Sequence, residues 1–209
     1  MLFIIPGFPF ITSGIDLAKL DMRSGLERLA YAVIIVVIAT TTAWVLAMVL
    51  GLQPGEFINL SIPPALLLIL RLITSFVGVF GFSVMFNSPV RIAASAAAIG
   101  ALANTLRLEL VDLASCHAAV AAFLGALTAG PLASLLMKKL GYPRISVTVP
   151  SIVIMVPGLY LYRAVYNMGE MSLTQSAPWL VSALLIIMAL PLGLIFARII
   201  TDRSFRHCT

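Results

Sequence analysis

The segment ISVTVPSIVIMVPGLYLYRAVY, Ile145 to Tyr166, decides the fold. It is apolar and long enough to cross a hydrocarbon core about 30 Å thick, which takes roughly 20 helical residues. Pro157-Gly158 interrupts it. Proline removes a backbone donor and clashes with the preceding turn, and glycine is a weak helix former. The segment is therefore expected to cross as a broken span. Around it lie five further candidates: Leu29 to Leu50, Ala65 to Phe86, Ile92 to Leu113, Ala114 to Met137 and Trp179 to Ile200. Pro54-Gly55, Pro63-Pro64, Asn87-Ser88-Pro89, Gly141-Tyr142-Pro143 and Ser176-Ala177-Pro178 punctuate the intervals, as turn-forming residues do. Prolines 64, 89 and 178 suit helix N-termini, where a missing N–H costs little. The expected fold class is all-α and polytopic, with about six transmembrane helices, one of them broken.

Composition points the same way. Of 209 residues, 61% are hydrophobic and 10% charged, against about half and a quarter in a soluble domain; mean hydropathy is +1.11. These values exclude an ordinary soluble globule, a disordered chain, a disulfide-built mini-protein and a nucleic-acid binder. Cys116-His117 and His207-Cys208 are adjacent pairs, not spaced as a zinc ligand set, so no metal or other cofactor is expected. The apolar start of the chain is broken by Pro6, Gly7 and Pro9 and lacks a basic leader, so it does not read as a secretory signal.

Basic residues set the expected sidedness. Lys19, Arg23 and Arg28 precede the first full span, no Lys or Arg lies between Gly51 and Pro64, and Lys138, Lys139, Arg144, Arg198, Arg203 and Arg206 flank later turns. Counted over alternate sides, ten fall on one side and two on the other, with Arg71 inside a helix. The positive-inside rule places the richer side, and both termini, in the cytoplasm. Cys116 and Cys208 then lie on opposite sides and cannot pair within one chain.

One internal repeat stands out. IIPGFPF at 4–10 matches MVPGLYL at 155–161 at an offset of 151; the same offset puts Asp16 on Asn167 and the apolar run from Leu29 on that from Leu180. The first copy must descend to cytoplasmic Lys19, whereas the second ascends from cytoplasmic Arg144, so their topologies are inverted. Inverted repeats with broken helices mark secondary transporters, whose substrates bind at the breaks. The plain alternative is that Pro and Gly kink packed helices whose neighbours satisfy the freed backbone groups.

Three strings carry a family resemblance. PGFPFITSGIDLAKLDMRSGLERLA at 6–30 resembles the end of the amino-terminal half of the bacterial threonine/serine exporter family. GFSVMFNSPVR at 81–91 and VPSIVIMVPGLYLYRAVYNM at 149–168 resemble its carboxy-terminal half. The resemblance implies two five-helix halves, fused or encoded as two subunits, with a cytoplasmic domain ahead of the first; some two-subunit relatives export succinate. Against that pattern, 1–50 corresponds to the end of the first repeat, 51–64 to an external loop, 65–201 to the complete second repeat and 202–209 to a cytoplasmic tail. A fragment, or a chain completed by an upstream membrane subunit or a second copy, is therefore expected. The implied partners are the lipid bilayer and a small substrate: threonine, serine or a dicarboxylate. The contrasting reading is a non-transporting membrane subunit that stabilises or regulates a partner.

Candidate site residues follow from what such a substrate needs. Exposed N–H groups at a helix break favour a carboxylate, and exposed carbonyls favour an ammonium, which selects Pro6, Gly7, Pro9, Pro157 and Gly158. Arg163 lies one turn past the second break, where it could grip a carboxylate or snorkel to headgroups. Arg71, the only basic residue well inside an apolar helix, is a candidate by default. Asp16 and Asn167 occupy matching repeat positions, and Asn87 and Arg91 belong to the family string, though a helix cap also accounts for their turn. Asn104, Arg107, Glu109 and Asp112 read equally as internal pairing at a helix end. The ladders Ala93-Ala97-Ala101 and Gly125-Ala129-Ala133 read as packing surfaces. No phosphate-binding loop or catalytic constellation is present, so neither ATP-driven transport nor an enzyme is expected.

Overall fold

The computed structural model describes residues 6–52 and 62–202, with the side chains of 137–140 left aside. Eight helices fill these residues: α1 Gly7–Ala18, α2 Met22–Leu50, α3 Pro64–Met85, α4 Val90–Asp112, α5 Ala118–Leu140, α6 Ile145–Val153, α7 Gly158–Gly169 and α8 Leu173–Thr201. No strand occurs among the described residues. The Pro54-Gly55 turn and the tail carrying Arg203, Arg206, His207 and Cys208 lie outside them.

Local chemistry sets the helix ends. Asp21 caps α2 by accepting the Ser24 N–H, and Gly51 closes it with a φ of 65°. Pro64 opens α3, where its missing donor is free of cost. At the other end of α3, Asn87 takes a φ of 56°, and the Ser88 N–H reaches back to the Ser83 carbonyl at 3.1 Å; this is a left-handed C-terminal cap, for which Asn is the best residue after Gly. Pro178 differs from expectation. It stands inside α8, which starts five residues earlier at Leu173, because a proline so early in a helix removes few bonds. Likewise α5 starts at Ala118 rather than Ala114, and Cys116 sits in the preceding loop.

Four helices are long and apolar enough to cross a membrane: α2, α3, α5 over Ala118–Leu136, and α8. The pair α6 and α7 adds a fifth if counted as one span, bent by 48° at the predicted break. By contrast α4, although 23 residues long, is not apolar enough to join them alone. It is instead the core. Ala93, Ala96, Ala97 and Ala103 are fully buried along it, and α3, α5 and α6 pack around it. A second seam joins α5 to α8, where a Cβ added to Gly193 would meet Ala126 and one added to Gly130 would meet Ala197. Small residues allow these close approaches. The large side chains point outward, Val33, Ile34, Val37 and Ile38 of α2 among them, as in a protein solvated by lipid tails.

The repeat is visible in the helix boundaries. Both ends of α1 and α7, and both ends of α2 and α8, lie 151 residues apart. Contacts are also exchanged across the copies: α1 packs on α8 as well as α2, and α7 on α2 as well as α8.

Candidate functional site

Pro6 and Pro157 precede their helices in closely similar conformations, with φ and ψ of −75° and 67° and of −81° and 57°. Neither α1 nor α7 has a side-chain cap, so their first N–H groups depend on other partners. Part of the first turn is closed by the bonds from the Phe10 N–H to the Pro6 carbonyl, 3.2 Å, and from Leu161 to Pro157, 3.1 Å. Between α6 and α7 the chain runs in tight turns, with Gly158 N–H donating to the Val156 carbonyl at 2.8 Å.

The start of α1 meets the α6–α7 break. A Cβ added to Gly7 would stand 2.9 Å from Val156 and 3.0 Å from Val153, so only glycine lets the start of α1 lie against the α6–α7 break. Buried hydroxyls flank the junction: Thr12 and Ser13 on α1, Thr148 and Ser151 on α6. Each donates to a carbonyl of its own helix, an arrangement that a competing polar ligand can redirect.

One cavity borders this junction and a second lies further along α1 and α6. The first, of about 500 Å³, lies between Phe8 and Pro9 of α1, Phe86 and Ser88 of the α3–α4 turn, and Ser146 and Pro150 of α6; Phe8 and Phe86 meet edge to face at 5.3 Å. The other, about 270 Å³, is lined by Lys19, Arg144, Thr148 and Arg198, and Ile145 borders both. Arg144 is fixed there by bonds to the Thr201 hydroxyl, 2.8 Å, and the Gly130 carbonyl, 3.0 Å. Burial, reinforced by Arg198, lowers its pKa from the ordinary arginine value.

The remaining candidates are dispersed. Asp16 sits at the far end of α1, bound by Arg28 at 2.7 Å and Ser24 at 3.2 Å, and Asn167 lies in the last turns of α7. Asn87 closes α3 near the rim of the larger cavity, and Arg91 stands exposed on the first turn of α4. Arg163 lies over Trp179, 4.6 Å from the ring centre, and Tyr160 meets the same ring at 5.4 Å. Arg71 is ion-paired with Glu109 at 2.7 Å and with Asp112, which latches α3 to α4.

A sequence model described as threonine/serine exporter, ThrE, matches residues 71–200, well over half of the chain, and a second threonine/serine exporter model matches residues 1–51. The chain belongs to the threonine/serine exporter family. It is a multi-pass membrane protein of a transporter family. No match is found among curated proteins or among solved structures. Within the chain, the first family string opens α1 and runs into α2, the second closes α3 and opens α4, and the third covers α6 and α7. All three border the junction of the two breaks or its larger cavity.

Proposed function

We propose that the chain exports a small amino acid, threonine or serine, or a dicarboxylate across the bacterial inner membrane, as a secondary transporter or as part of one. The observation that carries this is the apposition of Gly7 to Val153 and Val156, which puts two uncapped helix starts at one place within the bundle. Each start offers the positive end of a helix dipole to a carboxylate. Pro6, Gly7, Pro9, Pro157 and Gly158 supply the site's backbone, and the buried hydroxyls around them suit a hydroxylated or multiply polar substrate.

In this reading α4 and the α6–α7 pair both cross, giving six spans, and the copies α1–α2 and α7–α8 have inverted topology. Lys19, Arg144 and Arg198 share one cavity, consistent with a cytoplasmic face that carries both termini and receives substrate. Asp16 and Asn167 mark opposite ends of the path, Asn87 and Arg91 frame its cytoplasmic rim, Arg163 lies on its outer side, and Arg71 holds the outer ends of α3 and α4 together. Alternating access would come from one copy rocking against the other around the breaks.

Efflux from cells loaded with a threonine dipeptide tests this, with the chain expressed alone and together with the sequence encoded upstream. Faster threonine efflux in either arm is the expected result; efflux from the chain alone would remove the need for an upstream subunit. Wild-type-background rates in both arms, for threonine, serine and succinate alike, would leave a non-transporting subunit as the better reading.

A further inference from the structure

The outer end of α4 carries two cations' worth of chemistry and one set of acids. Arg71 reaches across from α3 and takes both Glu109 and Asp112. That leaves Arg107 without a carboxylate: among the described residues it has no ion-pair partner, and its hydrogen bond runs from Nε to the Asn104 Oδ1 at 3.0 Å. Asn104 is itself buried and donates from Nδ2 to the Ser75 hydroxyl at 2.8 Å. The chain Ser75, Asn104, Arg107 therefore holds the guanidinium from one edge. Its two terminal nitrogens, the pair that grips a carboxylate side by side, have no partner among the described residues.

Arg107 is also placed at the break. A Cβ on Gly125 of α5 would lie 3.1 Å from the Ala103 carbonyl and 3.2 Å from the Met155 sulfur, so Ala103 is level with the α6–α7 break. Arg107 follows Ala103 by one turn of α4. A half-buried arginine inside an apolar bundle is costly unless an anion completes it. Among the described residues no anion completes it.

We propose that Arg107, oriented by Asn104, binds the carboxylate of the exported substrate near the α6–α7 break. This rests on the exporter reading above and adds the group that recognises the acid. Arg71 and Arg107 then divide the labour: one arginine is consumed by the fold, the other is kept for cargo.

Trp179 touches Tyr160 and gives a readout separate from transport. In the full chain carrying Trp44→Phe, Trp179 is the only tryptophan, and its fluorescence is titrated with threonine, succinate and threonine amide, which keeps the ammonium and loses the carboxylate. The carboxylate ligand should bind about tenfold or more tighter than the amide, the worth of a charge-assisted hydrogen-bond pair. Arg107→Gln should abolish that preference, Arg107→Lys should retain part of it, and Arg23→Gln, an exposed surface change, should leave it intact. Equal binding of threonine and its amide by the unmutated-Arg107 chain overturns the proposal without any question of misfolding, as does an unchanged preference in Arg107→Gln; in both cases measured efflux leaves the exporter reading standing. Neither efflux nor a response to either carboxylate removes the exporter reading, and this assignment with it.

Discussion

The hairpins α1–α2 and α7–α8 turn in the same way with different side chains. Leu20 and Met171, 151 residues apart, both take positive φ, 64° and 56°. Asp21 and Ser172 both donate back to the fifth residue before them, Asp16 and Asn167, at 3.0 and 2.9 Å. The fastening differs. The first hairpin is tied by polar groups at its turn, Asp16 with Arg28 and Ser24. The second is tied higher up, by the Ser176 hydroxyl on the Ala164 carbonyl at 2.8 Å and by Tyr160 and Arg163 on Trp179. Backbone geometry is thus common to both copies, whereas the tyrosine, arginine and tryptophan cluster lies in the second. That asymmetry fits a shared frame carrying one recognition centre.

Changes at the breaks should have the largest effect. Gly7→Leu and Gly158→Leu should each lower efflux by roughly a hundredfold, since a shift of about 1 Å at a reacting or binding centre costs that much, while membrane insertion is retained. Normal efflux from either variant would break the equivalence of the two copies. Next comes the crossed contact between them: a Cβ on Gly14 of α1 would lie 2.4 Å from Pro191 of α8, so Gly14→Val should cost about 1–3 kcal/mol by overpacking. At the matching Val165, Val165→Ala should cost about 1 kcal/mol or less. Thermal melting in detergent compares the two. Ser176→Ala should cost about 1 kcal/mol by removing the buried hydrogen bond from its hydroxyl to the Ala164 carbonyl. The smallest change is Asp16→Asn, which gives the first hairpin the residue of the second. With Arg28 half exposed, the melting experiment should register about 0–1 kcal/mol, and a larger loss would show that the turn of the first hairpin bears more of its stability than the second.

The sequence alone was informative where chemistry is local. Pro157-Gly158 announced the break, and the offset of 151 residues aligned whole helices because a proline at a helix start and an apolar run after it leave little freedom in where the helices begin and end. Charge pairing was less legible. Asn104, Arg107, Glu109 and Asp112 are close in sequence, yet Arg107 and Glu109 are two residues apart and point to different sides of α4. Glu109 and Asp112, three apart, share a side and meet Arg71 from α3, a partner that linear spacing does not reveal. For the same reason the spacing does not distinguish Arg107 from its neighbours, and only the cross-helix pairing isolates it. The burial of α4 was also hidden, since its alanines read equally as a modest span or as the centre of a bundle.

The polarity of α4 has a consequence for how the chain is made. A helix with Arg91, Asn104, Arg107, Glu109 and Asp112 among small residues gains little from hydrocarbon and much from α3, α5 and α6. Its entry into the bilayer is then tied to the arrival of its neighbours, so biogenesis should pass through a stage in which α3 is already inserted and α4 waits at the insertion machinery for α5. Truncation after Leu113 should leave α4 poorly integrated, and extension through α5 should rescue it.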